Sequence, residues 1–241
     1  MKKLQTLNLA LIWLLAMTNL ACAQSHDWEL DKMPKDLETD FALSALPSHL
    51  RADASIYLLD PNKGYYISKK GTNGFICFVI RTEWERAQFR TDLYTPISFD
   101  AEGAKVIFPV YADAAAMRAS GKFGAKQIKD TIDSRIEKGI YKSPKPGISY
   151  MLGPVMRTFD DKNVVVTMSI PHYMFYAPYL TAADLGCTAK ASEGEPIVLG
   201  EGKSPHGFAI MMTGEKAKSK IVADQAQLVK RLAEYRPYLK I

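Results

Sequence analysis

Residues 54–81 restrict the fold more than any other stretch of the chain. Ala54 to Leu59 is apolar and β-rich, Pro61-Asn-Lys-Gly64 reads as a turn, and Tyr65 to Ser68 returns. Asn73-Gly74 offers the left-handed backbone that a tight turn needs, and Phe75 to Arg81 is the longest apolar run that follows. These links are far shorter than the dozen or so residues of a parallel crossover. The pattern therefore predicts three strands in an antiparallel meander.

Around that core the periodicity alternates between strand and helix. Pro34 suits the first turn of a helix in which Leu37, Phe41 and Ala45 share a face, and Pro47 ends it. Residues 83–104 show no clear period, and Pro96 and Gly103 read as breaking any long element. Val106 to Tyr111 reads as an edge strand because of Pro109, and Asp113 to Ala119 as a helix. Ile128, Ile132 and Ile136 predict a further helix that stops at Gly139, and Ser143-Pro-Lys-Pro-Gly147 reads as a stiff loop. Strands are expected at 148–152, 164–170, 196–199 and 208–213. Ile221, Gln225, Leu228, Leu232 and Tyr235 predict one long C-terminal helix that ends at Pro237. The class expected is α+β: a mainly antiparallel sheet with peripheral helices. A doubly wound parallel sheet is the alternative, and it lacks crossover-length spacing through 54–81.

The N-terminus reads as an export signal. Lys2 and Lys3 precede the apolar run Leu9–Met17, which is too short to span a membrane, and Ala21-Cys22-Ala23 has the small residues of a cleavage site. Cleavage between Ala23 and Gln24 leaves 24–241 as a single α+β domain with no transmembrane helix, in the periplasm or secreted. Lipid anchoring at Cys22 is the alternative, although Asn19 stands where a lipoprotein signal has an aliphatic residue. Removing 1–23 takes away two lysines and no acids, so the 31 basic residues become 29 against 26 acidic, a net +3. That mild excess does not call for nucleic acid, and export argues against it. The partner expected is a small molecule or a component of the cell envelope.

Two cysteines remain after cleavage, Cys77 and Cys187. In an oxidising compartment they read as one possible disulfide, with a buried free thiol at Cys77 as the alternative.

Candidate chemistry is sparse. The sequence has no phosphate-binding Gly-x-x-x-x-Gly-Lys loop, no Gly-x-Ser-x-Gly elbow, no His-Glu-x-x-His and no Cys-x-x-Cys. Pro171-His-Tyr-Met-Phe-Tyr-Ala-Pro178 and Ser204-Pro-His-Gly207 stand out, because each histidine follows a proline near an expected strand end. His172, Tyr173, Tyr176, Tyr179 and His206 are therefore the ligand-binding candidates. His172 and His206 with Glu201, or with Asp184, would supply the donors of a catalytic zinc site, and His172 with Met174 would suit haem or metal carriage. Core packing competes with all of these readings. Asp100 and Glu102 form a possible carboxylate pair, and a solvated turn is the plainer explanation.

Ser44-Ala-Leu-Pro47, Gly71-Thr-Asn-Gly-Phe-Ile-Cys77, Pro146-Gly-Ile-Ser-Tyr-Met151 and Pro171-His-Tyr-Met-Phe-Tyr176 resemble motifs of a set of exported bacterial proteins of unassigned activity. The resemblance spans most of residues 40–212 and implies export but no chemistry. It also implies a cysteine at the position of Ser98, a departure that counts against a Cys77–Cys187 bridge. The function expected is non-enzymatic binding of a small ligand or a surface. A metal-dependent hydrolase built on His172 and His206 is the first alternative, and a haem or metal carrier the second.

Overall fold

The computed structural model describes residues 30–187 and 194–241, so the expected export signal, Cys22 and the cleavage point lie outside the described residues. One eight-stranded sheet organises what is described, in the order β2-β1-β3-β4-β5-β8-β10-β9. Its strands are β1 (Ser55–Asp60), β2 (Gly64–Lys69), β3 (Ile76–Ile80), β4 (Thr95–Phe99), β5 (Ile148–Met151), β8 (His172–Tyr176), β9 (Ile197–Leu199) and β10 (Phe208–Met212). β6 (Met156–Phe159) and β7 (Val165–Met168) form a separate hairpin, turned at Asp160–Asn163. The architecture is α+β and mainly antiparallel.

The meander stops after one hairpin. β1 and β2 pair antiparallel, but β3 lies on the other side of β1 and runs parallel to it through Ser55↔Ile76 and Ile56↔Cys77. β2 ends beside the start of β1, so a short link can cross that end. Gly71 makes the crossing: its amide donates to Ser55 Oγ at 2.9 Å, and a Cβ there would lie 2.1 Å from the Asp53 carbonyl oxygen. Only glycine lets the backbones approach this closely.

Beyond Ile56 and Cys77 the β1–β3 ladder lapses, and side chains fill the gap. Glu38 Oε1 accepts the Leu59 amide proton at 2.8 Å, and the Tyr65 hydroxyl donates to the Val79 carbonyl at 2.7 Å. Both satisfy backbone groups that the missing ladder would otherwise orphan.

Helices cover the sheet unequally. On one face α1 (Lys35–Ser44) and α7 (Ala226–Tyr235) enclose Leu37, Phe41, Leu58, Cys77, Val79, Tyr94, Leu228 and Leu232. On the other, α3 (Ala101–Val106) and α4 (Phe108–Ala119) pack on Phe78, Ile97, Phe99, Met174 and Phe208. α5 (Ala125–Glu137) lies outside α4 through Ile128 and Ile132, and α2 (Ser48–Arg51) is a single turn. No helix among the described residues is long and apolar enough to cross a membrane.

Two further expectations are corrected. Residues 106–111 are helical, because Pro109 falls in the first turn of α4, where its missing amide hydrogen is not needed. Thr95–Phe99 is a central strand despite Pro96. The Tyr94 amide donates to Arg157 and the Asp100 amide to Ile148, so even-numbered positions face the β5 side; the β4–β5 ladder covers only Ser98 and Phe99, and no bond is lost at Pro96. The expected C-terminal helix is present as α6 (Glu215–Asp224) and α7 in direct succession, with a break at Gln225, φ −114°, ψ 22°.

Candidate functional site

Pro171–Tyr176 does not trail the expected 164–170 strand but leads into a strand of its own. His172–Tyr176 is β8, an internal strand between β5 and β10, with the registers Tyr150↔Tyr173, Ile148↔Phe175, Ile210↔Met174 and Met212↔His172. Side chains alternate across a strand. His172, Met174 and Tyr176 therefore turn to the face of α3 and α4, and Tyr173 and Phe175 to the opposite face. The pocket expected from Tyr173, Tyr176 and Tyr179 together does not form, because the sheet separates the first two. Tyr179 lies outside the strand, 56% exposed, with a positive φ of 59°.

The histidines are also apart. His206 precedes β10 beyond Tyr176, whereas His172 begins β8, so the length of β8 separates them, roughly 16 Å at about 3.3 Å per residue. His172 is 5% exposed, with Nδ1 2.7 Å from the Ile170 carbonyl oxygen, and His206 Nε2 lies 2.9 Å from that of Lys142. A ring nitrogen facing a carbonyl must carry the proton. Burial lowers the pKa of both, which favours neutral imidazoles. Glu201 Oε1 accepts the Ala182 amide at 3.3 Å, and Asp184 caps Thr181. Among the described residues no group of three His, Cys, Asp or Glu could hold a metal ion, so His172, His206 and Glu201 do not form the shared centre. Met174 is buried among Phe99, Phe208 and Ile210, away from any open axial position.

Cys77 and Cys187 are free thiols. Cys77 is fully buried under α1, where burial pushes its thiol up to about 12, and Cys187 follows a turn near Leu185. The expected bridge does not form.

Tyr176 locks the sheet to α3. Its hydroxyl lies 2.8 Å from Asp100 Oδ1 and 2.9 Å from the Ile148 carbonyl oxygen, and burial raises its pKa. Asp100 caps α3 through the amides of Glu102 and Gly103 and accepts the Ile148 amide on Oδ2. Glu102 accepts the Lys145 amide, so this acidic pair is structural. A Cβ at Gly103 would fall 2.1 Å from the Tyr176 hydroxyl, and one at Gly147 2.4 Å from Asp100 Oδ2. Replacing Tyr176 with Phe is expected to lower stability by about 1.5–2 kcal/mol, as read by chemical denaturation, through loss of one bond to a charged acceptor.

What the structure does assemble is a row of aromatic rings. Phe75 and Tyr150 have centroids 6.0 Å apart, Tyr150 and Tyr173 6.4 Å, and Tyr173 and Phe175 5.8 Å. The row starts at the α1 core and ends at Phe175, which is 48% exposed; Tyr150 and Tyr173 are half-buried between them. Met211 and Ala209 flank it on β10. Phe75, Tyr150 and Phe175 were not candidates in the sequence. The only local signal for Tyr150 was its place in the short strand pattern Ile148–Met151.

Comparison with protein-family models, with curated proteins and with solved structures returns no match.

Proposed function

We propose that this chain is an exported, non-enzymatic binding protein that holds a polysaccharide of the cell envelope on the Phe75–Tyr150–Tyr173–Phe175 row. The observation that carries the reading is the row itself, rings about 6 Å apart of which three are half-buried and Phe175 is exposed. Contiguous exposed aromatic surface marks an interaction site. A small ligand needs a concave pocket, whereas this surface is the face of a sheet and suits an extended polymer. Pyranose rings offer flat C–H faces to such rings, and the two tyrosine hydroxyls add hydrogen-bonding capacity. The neutral, carbonyl-bonded histidines are consistent with a role other than catalysis.

The test is co-sedimentation with purified peptidoglycan sacculi. The wild-type chain is expected in the pellet, and Tyr173→Ala with Phe175→Ala should lower retention at least about tenfold. Both side chains are at least partly exposed, so the melting temperature should hardly change. Failure of the wild-type chain to sediment, or equal retention of the double variant, overturns the reading.

A further inference from the structure

At the end of β4 opposite to Ser98 and Tyr150, three arginines and two tyrosines gather around Tyr94. The Arg81 guanidinium, 1% exposed at the end of β3, stacks 4.0 Å from the centre of the fully buried Tyr94 ring. Tyr235 and Tyr238 bring their rings to 6.2 and 6.0 Å from Tyr94, and the Tyr238 and Tyr94 hydroxyls are 3.4 Å apart. Arg157 lies 4.7 Å from the Tyr238 ring and Arg236 4.9 Å from the Tyr235 ring.

The acids nearby are already engaged. Asp92 binds Arg157 Nη2 at 2.8 Å and also Arg90, Asp31 pairs with Arg236, and Glu38 is bonded to the Leu59 amide. Arg81 has no ion pair among the described residues, only long bonds to the carbonyls of Asp31 at 3.4 Å and Thr91 at 3.5 Å. Three buried guanidinium nitrogens in the cluster have no partner, Nε of Arg81, of Arg157 and of Arg236, and the Tyr235 hydroxyl faces that of Tyr94. The nitrogens can only donate, and the hydroxyl can donate as well. An unsatisfied buried donor on a cation is among the most unfavourable groups a protein can hold. What Arg81 lacks is an acceptor carrying negative charge.

We propose that the Arg81–Arg157–Arg236 cluster is a binding site for a small oxyanion, a phosphate or a carboxylate group, with the Tyr235 hydroxyl as an additional donor. Planar guanidinium groups suit both anions. Tyr235, Arg236 and Tyr238 all come from the C-terminal segment, which thus supplies one side of the cluster.

Thermal unfolding of the full chain in sodium phosphate, sodium acetate or sodium chloride at matched ionic strength tests this. A saturable rise in melting temperature with phosphate or with acetate, and none with chloride, is expected, because a ligand that binds only the folded state stabilises it. Whichever anion acts identifies the oxyanion class. Arg236→Gln, at a partly exposed side chain, should weaken the apparent affinity at least about tenfold, and Tyr235→Phe, which removes only a hydroxyl, several-fold. No saturable effect of either oxyanion, or an affinity unchanged in both variants, overturns the proposal. Tyr173→Ala with Phe175→Ala leaves the response intact, which separates this site from the polysaccharide surface.

Discussion

Glu38→Gln is expected to make the folded chain more stable at pH 8 by about 2–3 kcal/mol while changing little at pH 5. Glu38 sits on α1, 2% exposed, and burial pushes its carboxyl from 4.5 up to about 7 against the weaker opposing effects of the Leu59 amide and of Arg81. In the unfolded chain the same carboxyl titrates near its ordinary value. Between the two values the folded state keeps a proton that the unfolded state has lost. The stabilisation is therefore complete below about pH 4.5 and lost as pH rises through about 7, at about 1.4 kcal/mol per unit. Glutamine can still accept the Leu59 amide but cannot ionise. Urea denaturation across pH 5–8 should show a falling profile for the wild type and a flatter one for the variant. Parallel profiles would refute the assignment.

Ser98→Cys is expected to form a disulfide with Cys77 and to raise stability by about 2–3 kcal/mol. The two positions are direct neighbours on β4 and β3. Pro96, two residues away and opposite Val79, has no amide hydrogen, and alternation makes Cys77–Ser98 the same non-hydrogen-bonded kind of pair. Such pairs bring Cα atoms to about 4.5 Å, near the lower end of the disulfide range. Closing a loop of about 20 residues contributes about 3 kcal/mol. Loss of the Ser98 Oγ bond to the Tyr150 carbonyl, 3.1 Å long, offsets about 1 kcal/mol of it. The raised thiol pKa of Cys77 makes oxidation slow, so an added oxidant is needed. Thiol titration should fall by two groups, and the melting temperature should drop by several degrees on reduction. A thiol count of the variant that does not change on oxidation would show that the pairing geometry is wrong.

These two residues show where sequence reading succeeds and where it stops. The β1–β2 hairpin was legible because Pro61–Gly64 and the flanking alternation are local signals. The parallel placement of β3 was not, since it depends on Gly71 crossing a strand end sixteen residues back. The α5 and α7 helices were legible through isoleucines and leucines at helical spacing, and both bury those residues. Pro96 and Pro109 misdirected the reading because a proline's effect depends on which neighbour its missing hydrogen would have faced. His172 and His206 drew attention as rare residues after prolines, yet register fixed at opposite ends of β8 decides that they never meet. The aromatic row draws on segments from residue 75 to 175 and the arginine cluster on segments from 81 to 238, so neither leaves a local pattern.

The Tyr176 lock reaches further than its own hydrogen bonds. Side-chain direction in a strand has a period of two, so a one-residue slip of β8 would send Tyr173 and Phe175 inward and put His172, Met174 and Tyr176 on display. Two positions without a side chain, Gly103 and Gly147, leave the hollow that admits the Tyr176 ring and so forbid that slip. What solvent meets on one side of the molecule is thus decided by empty space on the other. Substitution at either glycine would rewrite the displayed surface without touching a single residue of it.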